Sequence, residues 1–175
     1  MNLFQYSNGT PIQYKDIYGL WPTFEHNIII YTKFNGIAPG YIEAIQRGSS
    51  YADSLQFQDA YFSYMHSMRN KNQSAEKSCE LKSEFINTHL SYYKLHLNAG
   101  RFENAYFELG MALHPIMDST SPSHAGTQVW SNIDYSNLLD IPLQLIHISE
   151  HVMGEQFMSV NDLTFTTNVI DYWLK

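Results

Sequence analysis

The sequence predicts an all-α fold, a helical bundle that follows a short non-helical segment at the N-terminus. Its 175 residues are 44% hydrophobic and only 15% charged, a composition typical of one folded domain. Beyond residue 22, apolar side chains recur at intervals of three and four residues, which is the spacing of one helix face. Residues rich in Ser, Pro, Asn and Gly are gathered between positions 119 and 140, where we predict one long loop.

The predicted helices follow one another along the chain. Gly100 is placed to end the longest of them, and Asp162 is a candidate cap for the last. Pro115 lies inside a predicted helix and removes a backbone donor there, so we expect a kink next to His114. The predicted helices cover residues 22–35, 39–47, 51–69, 72–100, a stretch from about 101 to 113, 142–157 and 162–173.

The first twenty residues follow a different pattern, with alternating aromatic side chains and a turn-forming Asn-Gly pair, which predicts strand and turn. They resemble the closing segment of Rhs-repeat shell proteins, although Ile17 stands where that family has proline. In that family the shell encloses a C-terminal toxin and cuts itself just after the Gly-Leu pair, here between Leu20 and Trp21. The residues that carry the resemblance are Asn2, Leu3, Phe4, Tyr6, Pro11, Asp16, Gly19 and Leu20.

This resemblance implies that residues 1–20 close an Rhs core and that residues 21–175 form a polymorphic toxin domain. It also implies an Rhs shell as partner before release, a cognate immunity protein, and delivery into a target cell by a secretion system. The N-terminus has no secretory signal peptide of its own, which fits such a route. An ordinary N-terminal hairpin is the alternative interpretation.

Charge and cysteine content exclude several classes of function. The formal net charge of −7 disfavours binding to duplex nucleic acid, which normally needs a basic surface. Cys79 is the only cysteine, so neither an intramolecular disulfide nor a cysteine-based zinc knuckle is possible. No apolar run reaches the length of a membrane span. A metal site in this chain would therefore use histidine and carboxylate ligands.

The eight histidines include two with metal-ligand spacing. His114 and Asp118 are four residues apart, so a helix places them on one face, and His124 follows in the predicted loop. His151 and Glu155 repeat the four-residue spacing on another predicted helix. Imidazole and carboxylate without thiolate suit a catalytic zinc site. His147 is an alternative to His151, whereas His89 and His96 fit no ligand pattern and are predicted to be structural or solvated.

The pattern H-x3-D-x5-H, which follows ELGMAL and precedes Ala-Gly, resembles the signature of bacterial zinc-dependent phospholipase C. Its relatives include the fungal single-strand-specific nucleases, and the family fold is an all-helical bundle with zinc ions in a cleft. The resemblance extends from residue 21 to residue 155. The matching positions are Trp21, His26, Asp53, His66, His114, Asp118, His124, His151 and Glu155.

The resemblance implies a site for up to three zinc ions. One ion would be held by His66, His114 and Asp118, with Asp53 as a further ligand or as the general base. A second ion would be held by His124, His151 and Glu155. Asp118 would bridge to a third ion, completed by His26 and by the free amino group and carbonyl of Trp21. Cleavage before Trp21 would create that amino group, so autoproteolysis would release the toxin and complete its metal site.

The expected reaction is zinc-dependent hydrolysis of phosphodiesters. The Ala-Gly after His124 and the H-x3-E closure favour phospholipase C acting on phospholipid at a membrane surface. The five-residue spacing from Trp21 to His26 favours the nuclease branch, so a single-strand nuclease toxin is the alternative, with nucleic acid as substrate. A non-enzymatic domain stabilised by zinc is the third hypothesis.

Overall fold

The structure, a computed structural model, describes residues 23–121, 124, 126–130 and 158–175. This part of the chain is mostly helical and contains no β-strand, which confirms the predicted all-α class. Its α-helices are α1 (Thr23–Phe34), α2 (Pro39–Ala52), α3 (Ala75–Asn98), α4 (Phe102–Asp118) and α5 (Val160–Trp173). Two 3-10 helices, Leu55–Phe57 and Ala60–His66, connect α2 to α3. None of the described helices is both long and apolar enough to cross a membrane.

Helix α4 lies at the centre of the bundle, with α2 and α3 packed against it. Helix α1 packs on α2, and α5 packs on α4 and α1. Burial of these apolar faces against one another supplies the main driving force for folding. The buried side chains of the main core are Ile29, Ile30, Ile42, Ile45, Ile86, Leu90, Leu109, Ala112, Leu113, Ile116, Met117 and Ile170.

Two glycines allow α2 and α4 to approach backbone to backbone. A Cβ atom on Gly48 would overlap the carbonyl group of Phe107, whose carbon would be 2.9 Å away. A Cβ atom on Gly110 would overlap the carbonyl group of Ile45 in the same way, with that carbon at 2.8 Å. No other residue type lacks a Cβ, so this close crossing depends on glycine at both positions.

The helix predicted at 39–47 continues to Ala52, because the close contact of Gly48 with α4 outweighs the low helix propensity of Gly48 and the serines after it. The prediction of one helix over residues 51–69 is wrong. Helix α2 ends with Asp53 as its C-cap, and the chain then forms 3-10 turns. The Asp59 side chain accepts a hydrogen bond from the Tyr61 N–H at 2.8 Å, and such local bonds favour turns over a continuing helix.

The remaining helix predictions agree with the structure apart from details at their ends. The helix predicted at 22–35 is α1, and the one predicted at 72–100 is α3, whose first turn is capped by the Ser74 hydroxyl. Asp162 was predicted to be the N-cap of α5, and this prediction is wrong. Ser159 is the cap, and Asp162 completes a capping box from the third helical position, because its carboxylate reaches back to the Ser159 N–H at 2.9 Å.

Several predictions fall outside the described residues. These are the strand and turn at 1–20, the cleavage site, the helix at 142–157 and most of the long loop. The described part of that loop, residues 126–130, returns to the segment that follows the second 3-10 helix. There the Arg69 N–H donates to the Gln128 carbonyl at 2.9 Å, and the Trp130 N–H donates to the Arg69 carbonyl at 2.7 Å.

Candidate metal centre

Five of the predicted ligand residues meet at one buried place where α1, α2, α4 and the second 3-10 helix converge. The imidazoles of His26, His66 and His114 and the carboxylate of Asp118 are at most 1% exposed, and the Asp53 side chain is 9% exposed. These groups could hold a metal ion. Buried charge in a protein is normally paired or bound to metal, so a cluster of this composition requires an explanation.

Four ligand atoms are arranged at nearly equal separations. His114 Nε2 lies 3.1 Å from His66 Nδ1, 3.2 Å from Asp53 Oδ1 and 3.2 Å from Asp118 Oδ2. His66 Nδ1 lies 3.7 Å from the same Asp53 oxygen and 3.6 Å from the same Asp118 oxygen. Pro115 directly follows His114 inside α4, yet the side chains of His114 and Asp118 still come into contact. The i, i+4 spacing therefore brings these two side chains together as predicted.

These separations are short enough for neighbouring side chains to share one metal ion. Nitrogen and oxygen ligands lie about 2.1 Å from zinc, which places any two of them about 3.4 Å apart in tetrahedral coordination. The three separations among His66 Nδ1, His114 Nε2 and Asp118 Oδ2 are 3.1, 3.2 and 3.6 Å. These three residues therefore fit as three ligands of one such ion.

Asp118 faces two groups of ligands at once. Its Oδ2 belongs to the set around His114, whereas its Oδ1 lies 3.0 Å from His26 Nε2. Asp53 also has an oxygen on each side, because its Oδ2 lies 3.9 Å from His26 Nδ1. The ligand atoms accordingly form two overlapping sets, one of His66, His114 and Asp118 and one of His26, Asp53 and His114.

The carboxylate oxygens of Asp53 and Asp118 are buried, and none of them has a hydrogen-bond partner in the described part of the chain. The neighbouring imidazole nitrogens lie 3.0 to 3.9 Å from them. Burial alone would raise the pKa of Asp118, yet the imidazoles of His114, His26 and His66 together hold this pKa well below its usual value. The Asp118 carboxylate is thus held in the charged form that binds a cation.

The imidazole of His66 is oriented by two neighbours that the sequence did not reveal. Its Nε2 lies 3.4 Å from the Phe57 carbonyl, which can only accept. A proton on Nε2 would be donated there, which would leave a lone pair on Nδ1 toward the cluster. The Trp130 indole stacks on the same ring, with centroids 5.0 Å apart. Trp130 lies in the loop, where no spacing rule connects it with His66.

His124 lies beside the cluster without joining either set of ligand atoms. It is 2% exposed, and burial lowers its pKa to about 4, although the charge of Asp118 opposes this shift. At neutral pH the imidazole is therefore uncharged, the form that binds metals. Its predicted co-ligands His151 and Glu155, the alternative His147, and Trp21 lie outside the described residues.

Comparison with known proteins gives no further assignment: no protein-family model matches the chain, and no curated protein or solved structure is significantly similar to it.

Proposed function

We propose that the chain is a zinc-dependent phosphodiester hydrolase of the phospholipase C type, which acts on phospholipids as a delivered toxin. The proposal includes the Rhs boundary before Trp21 and a polynuclear zinc site. The resemblance of the ligand pattern to zinc-dependent phospholipase C supports it, and so does the convergence of five of the nine predicted ligand residues in one buried cluster.

The close spacing of the ligand atoms of His66, His114 and Asp118 is the observation that carries this proposal. A buried cluster of three imidazoles and two carboxylates costs several kcal/mol per uncompensated charge, so it persists where a cation compensates it. Zinc suits this donor set because imidazole nitrogen and carboxylate oxygen are its usual ligands at catalytic sites.

The proposed roles follow from the positions of the side chains. When bound, zinc ions polarise a phosphoryl oxygen and lower the pKa of a water molecule toward neutrality. Asp53 Oδ2 has no hydrogen-bond partner in the described part of the chain, and it accepts the proton of the attacking water. The water oxygen bonds to phosphorus as the P–O bond of the ester breaks, and the leaving oxygen takes up the proton held by Asp53 to depart as the alcohol. Trp130 covers one face of His66 and excludes bulk water from that side.

A single-strand nuclease is the second candidate, because aromatic rings lie on the segment between Asp53 and His66. The Phe57 ring contacts those of Tyr51 and Phe62, with centroids 5.5 and 5.3 Å away, and Tyr61 is 74% exposed. Aromatic surfaces of this kind stack unpaired bases. This candidate shares the metal ligands, so the substrate distinguishes the two.

The decisive experiment is to count bound zinc by inductively coupled plasma mass spectrometry and to assay the loaded protein on phosphatidylcholine and on single-stranded DNA. Both the full chain and the chain that begins at Trp21 are measured. We expect bound zinc and release of diacylglycerol, with the higher zinc content in the shorter chain. His114→Ala should abolish turnover on either substrate.

Three outcomes would change this proposal. Turnover of DNA alone would favour the nuclease, and a single zinc without turnover would favour the non-enzymatic domain. Absence of zinc after loading would refute all three. Mass spectrometry of the released toxin tests the boundary separately, because a mature N-terminus other than Trp21 contradicts it.

A further inference from the structure

Lys82 lies on the face of α3 that contacts two segments of the chain, one around His66 and one that follows His124. One turn earlier on the same face, Ser78 donates a hydrogen bond to the carbonyl of Met68, two residues after His66. Cys79, three residues before Lys82, has its sulfur 3.5 Å from the Thr127 hydroxyl, and Thr127 follows His124 by three residues.

A residue one turn after Lys82 on α3 also contacts the segment around His66. The Phe85 ring lies 6.1 Å from the ring of Tyr64, two residues before His66. Lys82 is therefore bracketed, one turn before and one turn after, by contacts with the segments that carry His66 and His124. Its side chain is half-buried, which is unusual for lysine.

The charge of Lys82 agrees with this placement. Burial lowers the pKa of this ammonium group, while attraction by Cys79 and Asp118 opposes the shift. The attraction to Asp118 is consistent with the face of α3 on which the contacts of Ser78 and Phe85 place Lys82. A partly desolvated cation exerts a stronger field than one in water.

Lys82 differs from Lys33 and Lys77 in its pairing. Lys33 is paired with Asp171, and Lys77 is paired with Glu80 at 2.8 Å. Lys82 has no carboxylate within 4.0 Å in the described ranges, and it is less exposed than Lys94 further along the same helix. Its charge is thus available to an anion that enters the centre.

We propose that Lys82 binds the phosphate group of the substrate, with its ammonium group contacting a non-bridging oxygen of a phosphodiester held at the cluster of His26, Asp53, His66, His114 and Asp118. This inference rests on the proposed function, since it assigns the binding of that phosphodiester. Asp53 and Asp118 bring two negative charges to the centre of a chain whose net charge is −7, so a cation beside them favours the entry of an anion. Lysine acts there as a point charge.

The test is a calorimetric titration of inorganic phosphate into the zinc-loaded full chain. Lys82→Met keeps the apolar stem and removes the charge. We expect it to weaken phosphate binding about ten- to a hundredfold, since hydrogen bonds to charged groups are of that strength. Lys82→Arg should restore most of the affinity. The matched control is Lys94→Met, which removes an exposed lysine from the same helix and should leave phosphate binding unchanged.

Zinc content and melting temperature are measured for every variant. Unchanged phosphate affinity in Lys82→Met, at full zinc content, overturns the inference, and so does loss of zinc from that variant, which would make Lys82 a structural counterion. Failure of the wild-type chain to bind zinc is read from the metal analysis alone and refutes the proposed function instead. If Lys82→Met does not fold, Lys82→Gln provides the same comparison.

Discussion

Two groups of histidine and carboxylate lie on α4, and they differ in how their polar atoms are satisfied. Between α3 and α4, His89 Nδ1 and Glu108 Oε2 are 2.6 Å apart in a half-buried pair. At the other group, His114 and Asp118 share their surroundings with three more ligand residues, at separations of 3.0 to 3.9 Å. The first pair satisfies itself through a direct hydrogen bond. In the second, the carboxylate oxygens have no such bond, so it is a candidate metal site rather than an ion pair.

Zinc binding should have the largest effect on the stability of the folded protein, and this effect should depend on the buried cluster alone. A ligand at a free concentration of a thousand times its Kd stabilises the folded state by about 4 kcal/mol. We expect zinc to raise the melting temperature of the wild-type chain and of His89→Ala, and chelation to reverse this. His114→Ala should lose the response, as measured by calorimetry. An equal response in His114→Ala and His89→Ala would remove the distinction between the two groups.

A substitution at the crossing of α2 and α4 should have the next largest effect on stability. A methyl group at Gly110 overlaps backbone atoms of α2, so we expect Gly110→Ala to cost about 3 kcal/mol of unfolding free energy. It should also weaken zinc binding by moving Asp53 away from His114. The control is Gly40→Ala in α2, where a methyl group meets no atom within 4 Å. Urea unfolding of both variants checks the prediction, and equal stabilities would contradict it.

The pH dependence of stability should reveal His124 in the metal-free protein. Its folded-state pKa of about 4 lies below the ordinary value of 6.5, so the unfolded chain binds more protons between these limits. Stability should fall by about 3 kcal/mol as the pH decreases through this window. Urea unfolding in the presence of a chelator should show a smaller slope for His124→Gln. An unchanged slope would show that another group titrates there.

The smallest effect on stability is expected at the hydrogen-bonded pair of His89 and Glu108. His89→Gln should reduce the free energy of unfolding by about 1 kcal/mol, because a partly exposed ion pair contributes little to stability. Zinc content should be unchanged. Thermal unfolding and metal analysis together check this, and a loss of zinc from His89→Gln would show that the two groups are coupled.

The sequence predicts the helices and the pairing of neighbours on them, because both depend on local spacing. The periodicity of α3 and the four-residue spacing of His114 and Asp118 are of this kind, and both agree with the structure. The turns after Asp53 were mispredicted as helix, since local side-chain hydrogen bonds compete with periodicity there. Trp130 reaches His66 through a contact between distant segments, which no spacing in the chain encodes. The contact of Cys79 with Thr127, on which the proposed role of Lys82 is based, is of the same kind.

The backbone contact of Gly48 with α4 has a consequence for how this protein can vary in evolution. At Gly48 and Gly110 the separation between α2 and α4 is set by main-chain atoms, with no side chain at these two positions that could be exchanged to adjust it. A single methyl group would change that separation by a large fraction of a metal–ligand distance, which is about 2.1 Å. Homologues that keep Asp53, His114 and Asp118 should therefore keep glycine at positions 48 and 110, and those that lose the glycines should lose the ligands as well.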